Sequence, residues 1–164
     1  MANVPHMSVL LGGTYKVRVL CDTGSTTTVM SSSLLEECWS LKELITPTNL
    51  GYKGVGPAGN YYGILKGMEI QIGEGLTTKE HIAVIENKEP FMLLGNDVVG
   101  GQKAKFRRVA MNDDYSFMTL VDLETGHVEN VHFLRNNEVS RLPVLMLSLL
   151  EEEPEGSVVE LFRG

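Results

Sequence analysis

KVRVLCDTGSTTTVMSS occupies residues 16–32. Val17, Val19 and Cys21 alternate with Lys16, Arg18 and Leu20, the period-two pattern of a half-buried strand. That strand runs straight into Asp22-Thr23-Gly24-Ser25. An Asp-Thr-Gly turn is ordinary in isolation, because Asp accepts backbone hydrogen bonds and Gly takes an unusual φ. Its setting is not ordinary. A second β-branched stretch, TTTVM, follows at once, and about seventy residues later a further apolar run, Phe91-Met92-Leu93-Leu94, ends in Gly95. Strand, sharp loop, strand, and a later apolar run threaded through that loop predict a psi-shaped construction with one carboxylate on a rigid tip.

Outward from this stretch the chain reads as short strands and turns. Residues 9–11, Gly12-Gly13 and residues 15–21 predict a hairpin with a two-residue turn. Ser33-Leu34-Leu35-Glu36 has the spacing of a capping box and predicts a very short helix through Cys38. Residues 50–63, LGYKGVGPAGNYYG, hold five glycines and a proline, and read as two strand ends around a hairpin tip. Met68, Ile70 and Ile72 alternate with polar residues, Gly73-Glu74-Gly75 turns, and LTTKEHIAVIE returns. A short turn or helix is expected from Asn96, then closing strands over 105–111, 115–123 and 128–134. Frequent turns and hardly any helix predict an all-β barrel or sandwich. Residues 1–134 are read as one domain. Residues 135–164, an apolar patch and then an acidic end, are read as an appendage: a docking strand, a partner segment or a partly disordered tail.

Composition narrows the function. The chain has 164 residues, 43% hydrophobic, with a formal net charge of -7. That balance argues against nucleic acid or an anionic membrane as the main partner, since both require clustered Lys and Arg. The one local basic cluster, Lys103, Lys105, Arg107 and Arg108, reads as a solvated strand face. Cys21 and Cys38 make no disulfide framework and are expected to be reduced, with Cys21 a small core thiol. The longest apolar stretch, residues 142–150, falls short of a membrane span. The expected setting is intracellular or virion-like, not secreted, for a segment of a longer polyprotein or multidomain protein. No metal ligand spacing, phosphate loop or nucleophile elbow occurs, so neither a metal nor a cofactor is expected.

VLCDTGSTTTVMS at 19–31, YKGVGPAGNYYG at 52–63 and FMLLGND at 91–97 together resemble the retropepsin-like aspartic proteases, the single-domain class of retroviruses, retrotransposons and cellular relatives. TTTVMSSSLLEEC is similar to the DNA-damage-inducible, ubiquitin-linked branch, and LLGND to metavirus-type retroelement enzymes. The resemblance covers residues 8–134. It implies a closed barrel protomer with one or two short helices, active as a two-fold homodimer.

Aspartic proteolysis needs two carboxylates around one water. One acts as general base, and the other, protonated, hydrogen-bonds the scissile carbonyl. This chain carries a single Asp-Thr-Gly, so two copies must each supply Asp22. The resemblance implies that Thr23 bonds across the two-fold axis and that Gly24 leaves room for substrate backbone. Gly54, Val55 and Gly56 would form the tip of a flap closing over an extended peptide. Leu94 and Gly95 would support the catalytic loop. Ser25, Thr26 and Thr27 would line the substrate site, where retroviral enzymes often have acidic residues. Ser25 stands where Ala is common, and its hydroxyl is expected to donate to Asp22, favouring the ionised form. Substrate would bind as an added strand. The alternative is a catalytically idle dimerisation or peptide-binding module of the same fold.

Overall fold

The computed structural model describes residues 6–21, 25–47, 61–101, 103–112, 116–135 and 144–146. The strands are β1 (His6–Leu11), β2 (Tyr15–Cys21), β3 (Val29–Ser31), β4 (Thr46–Pro47), β5 (Tyr61–Ile72), β6 (Leu76–Ile85), β7 (Met92–Leu94), β8 (Val99–Gly100), β9 (Phe106–Met111), β10 (Phe117–Asp122), β11 (Val128–His132) and β12 (Val144–Met146). Two helices, α1 (Ser32–Glu37) and α2 (Trp39–Lys42), lie between β3 and β4.

Six strands close on themselves. β1 pairs β2, β2 pairs β7, β7 pairs β3, β3 pairs β6, β6 pairs β5, and β5 returns to β1 through Val9↔Ile72 to Leu11↔Ile70. The β2–β7 and β3–β6 pairings are parallel and the others antiparallel, so this is a mixed barrel. Alternation sets its inside: Met7, Val9 and Leu11 from β1 and Tyr15, Val17 and Val19 from β2 are buried in one apolar cluster. Their neighbours on the opposite face are half-buried. Closure matters because it leaves no long bare edge along β1.

The first hairpin turns in three residues, not the two expected. Leu11 pairs with Tyr15, and Thr14 N–H donates to Leu11 O at 3.2 Å. Gly12 and Gly13 both have positive φ, +63° and +72°, which only glycine adopts without strain. The first helix also differs from its expected bounds. Ser31, not Ser33, is the cap: its Oγ accepts from Leu34 N–H at 3.2 Å and from Phe91 N–H at 2.9 Å. A hydroxyl already fixed by β7's approach pre-empts the one two residues later. α2 follows directly, and buried Tyr15 accepts from Ser40 N–H at 3.0 Å. Of the turn or helix expected from Asn96, the structure has the turn, leading into β8.

β8, β9, β10 and β11 form a second sheet. Its inner residues Phe106, Met118, Leu120 and Val131 belong to the same core cluster as the barrel. Glu129 of β11 accepts from Glu74 N–H at 2.6 Å and Gly75 N–H at 2.8 Å in the β5–β6 turn. Leu134 N–H donates to His6 O at 2.7 Å. Within 135–164, the described residues Val144–Met146 pair antiparallel with residues 15–17 of β2 in the same chain.

Candidate functional site

Asp22, Thr23 and Gly24 lie outside the described residues, as do Gly54, Val55 and Gly56. Both limbs of the Asp-Thr-Gly turn are described, and β7 stands between them. On one side, Leu20 and Cys21 pair in parallel with Leu93 and Leu94. On the other, Val29 and Met30 pair antiparallel with Leu93 and Met92. The chain leaving β7 then passes beneath the outgoing limb. Asn96 N–H donates to Ser25 O at 2.9 Å. A Cβ on Gly95 would fall on the Thr27 backbone, at 2.5 Å from its carbonyl carbon, so only glycine permits this approach.

Below the turn is a brace of fixed polarity. Thr28 is fully buried. Its Oγ1–H donates to Asp97 Oδ1 at 2.8 Å and its N–H to Asp97 Oδ2 at 3.1 Å. Gly95 N–H donates to the same Thr28 Oγ1 at 3.2 Å. One carboxylate thus takes both donors of a buried residue, and that residue's hydroxyl takes a third from the glycine under the turn. Hydrogen bonds to a charged acceptor are stronger than neutral ones, and this one fixes residue 28 against a point 69 residues later in the chain. The sequence reading quoted Asp97 within FMLLGND but gave it no role. A lone buried-side Thr among three was the matching signal, invisible without the pairing of β3 to β7.

Ser25 is half-buried, and Thr26 and Thr27 are exposed beside the turn. The Ser25 hydroxyl donates to Thr27 O at 2.6 Å; the expected donation to Asp22 falls on a residue outside the described ones. Leu94 ends β7 in the core. Cys21 packs against the same core. Burial pushes its thiol up to about 12, against a smaller lowering pull from Arg108, so it is protonated at neutral pH and a poor nucleophile. Cys38 is likewise raised to about 12, first by burial and then by Glu37. Both cysteines are free.

The glycine-rich segment is framed by paired strands. Thr46 and Pro47 of β4 lie opposite Ile64 and Gly63 of β5. Gly63 is required there, since a Cβ would sit 2.7 Å from Thr46 O. Residues 48–60, between these two strands in the chain, lie outside the described residues. Ser32, Ser33, Glu36, Tyr62, Glu86, Asn87 and Lys88 line a shallow groove. Among the described residues no cluster of His, Cys, Asp and Glu is placed to hold a metal, and no helix is long and apolar enough to cross a membrane.

No protein-family model matches this chain, and no curated protein matches its sequence. In three dimensions it is similar to the retroviral protease-like domain of Ddi1 from Leishmania major. The TM-score is 0.60 at 17% identity, over 84% of this chain and 99% of that one.

Proposed function

We propose, starting from the retropepsin-like fold that this chain has, that it is a homodimeric aspartic endopeptidase hydrolysing extended polypeptide segments. The observation that carries the reading is the support built around residues 22–24. Leu94 pairs with the incoming limb, while Gly95, Asn96 and Asp97 hold the outgoing one. Such a floor would leave a carboxylate on the turn between the two limbs little freedom, which is what an activated-water mechanism requires.

In this reading two Asp22 side chains share a proton. One takes a proton from the water as it attacks the scissile carbonyl, and the other donates a hydrogen bond to the carbonyl oxygen. The pair titrates as a unit. Thr23 and Gly24 hold the two turns together and admit the substrate backbone. Ser25, Thr26 and Thr27 contact it from below, and Gly54, Val55 and Gly56 from the flap side, where closure excludes water. The substrate lies extended, its alternate side chains entering apolar pockets. Neither metal nor cofactor takes part.

A peptide library incubated with the wild type and with Asp22→Asn tests the reading. Cleavage by the wild type that a statine-type peptide blocks, and that Asp22→Asn abolishes, is expected. A dimer that binds peptides with no turnover under acidic or neutral conditions would assign the chain to the idle-module class instead.

A further inference from the structure

We propose that the cleft between β1 and β11 is a docking site for an extended acidic segment of a partner protein, which adds as a strand to the outer edge of β11. The residues that build the cleft are separate from the support around residues 22–24, so the inference stands apart from the protease reading.

β11 ends its sheet, with β10 on one side and no described strand on the other. Two bonds set the direction of its backbone groups. Phe133 N–H donates to Ser116 O at 2.8 Å, and Asp122 N–H donates to His127 O at 2.9 Å. They flank the antiparallel register from Phe117↔His132 to Val121↔Val128. Residues 127, 129, 131 and 133 therefore turn their N–H and C=O toward β10, and 128, 130 and 132 turn theirs to the bare edge. Leu134, next in that series, shows what the edge faces: its N–H donates to His6 O of β1 at 2.7 Å. The bond does not grow into a ladder, since β1 and β11 are not paired. The two strands diverge, and the gap is closed again where Glu129 accepts from the Glu74 and Gly75 amides.

Between these two closures is a cleft of about 770 Å³. Residues 127–132 line one wall, and Ser8, Leu10, Lys16 and Gln71 line the other. Successive strand residues point to opposite faces, so six in a row on one wall means that the backbone edge itself borders the cleft. From Val128 to His132 that edge runs about 17 Å, the length of a strand of about five residues.

The opposite wall indicates the chemistry of the occupant. Among the described residues, Ser8 Oγ is the one buried side-chain oxygen without a hydrogen-bond partner. Buried hydroxyls normally have one, and this donor is placed for an acceptor that enters the cleft. In the β1–β2 ladder Arg18 lies opposite Ser8 and Lys16 opposite Leu10, which puts two cations on the same outer face of the barrel as Ser8. The acids lie at the closed end, where Glu129 is taken up by the Glu74 and Gly75 amides and by His127. A strand whose alternate side chains are carboxylates fits both walls. Its backbone pairs with residues 128, 130 and 132, and its acids face Lys16 and Arg18.

Fluorescence anisotropy on the full Asp22→Asn chain, so that no cleavage consumes the probe, tests this. A labelled peptide alternating Glu with Val is expected to bind saturably, roughly tenfold or more tighter than one alternating Lys with Val. Asn130→Pro removes an edge N–H but no backbone bond to β10, a change that edge strands tolerate. It is expected to weaken binding roughly tenfold. Should that variant misfold, Lys16→Gln is expected to weaken binding roughly threefold. A statine-type peptide is expected not to displace the probe. No binding, equal binding of the two peptides, indifference to both substitutions or displacement by the statine-type peptide each overturns the site. A wild type that cuts no peptide, while the probe binds as expected, overturns the protease reading and supports this one.

Discussion

Asp97 gives both carboxylate oxygens to a single neighbour, Thr28. Asp97→Ala strands a buried hydroxyl and a backbone N–H, each costing roughly 1–3 kcal/mol when unsatisfied. We expect a loss of about 2–4 kcal/mol in denaturant unfolding, with cleavage falling further than stability alone accounts for. Asp97→Asn keeps one acceptor and is expected to lose less than half as much. Ser25→Ala removes an exposed bond to Thr27 O. It is expected to cost about 0.5–1.5 kcal/mol and to leave the pH–rate profile in place, because the hydroxyl's proton is engaged by Thr27 O. At this scale the sequence displayed the acid at the strand end but not its brace. Thr26, Thr27 and Thr28 look alike in a row, and only the arrival of β7 beside β3 buries the third.

The β5–β6 hairpin shows how an element is fastened. Gly73 has φ +63°, and a Cβ there would land on the Glu129 carboxylate. Gly73→Ala is therefore expected to cost more than about 1 kcal/mol, read as a lowered melting temperature. Burial acts to raise the Glu129 carboxyl, but the hydrogen bond with His127, the Glu74 and Gly75 amides and the His127 charge together hold it below the usual carboxylate value. A lowered folded-state value means that stabilisation is complete above the unfolded value of about 4.3 and is lost as pH falls through the lower, folded one. Glu129→Gln is expected to flatten the melting temperature between pH 5 and pH 3, roughly the window over which an unpaired carboxyl titrates. Alternation made β2 and the second half of β5 legible. Helix bounds were less so, because Ser31 and Ser33 are equally good caps on paper and only the bond from Phe91 N–H distinguishes them.

For the whole molecule, the closed six-strand path follows from pairings between distant segments, such as Val9↔Ile72. Composition announced an all-β chain, but strand order is a property of those meetings and not of any local pattern. The clearest molecular prediction concerns stoichiometry. If each active unit needs two Asp22 side chains, equal amounts of wild type and Asp22→Asn allowed to exchange should retain roughly half of the activity expected if every wild-type chain had a wild-type partner, because about a quarter of the pairs rather than half are then all wild type. Activity that does not fall on exchange would mean that one intact chain suffices.

The brace from Thr28 to Asp97 has a consequence for the order of events during synthesis. The loop at residues 22–24 leaves the ribosome early, yet its floor is encoded 69 residues downstream of Thr28, and contacts so far apart in the chain form late. A nascent polypeptide interrupted before residue 97 would bear the acidic residue without the scaffold that aims it. On the protease reading, the timing of translation would keep an unfinished product from acting on its surroundings.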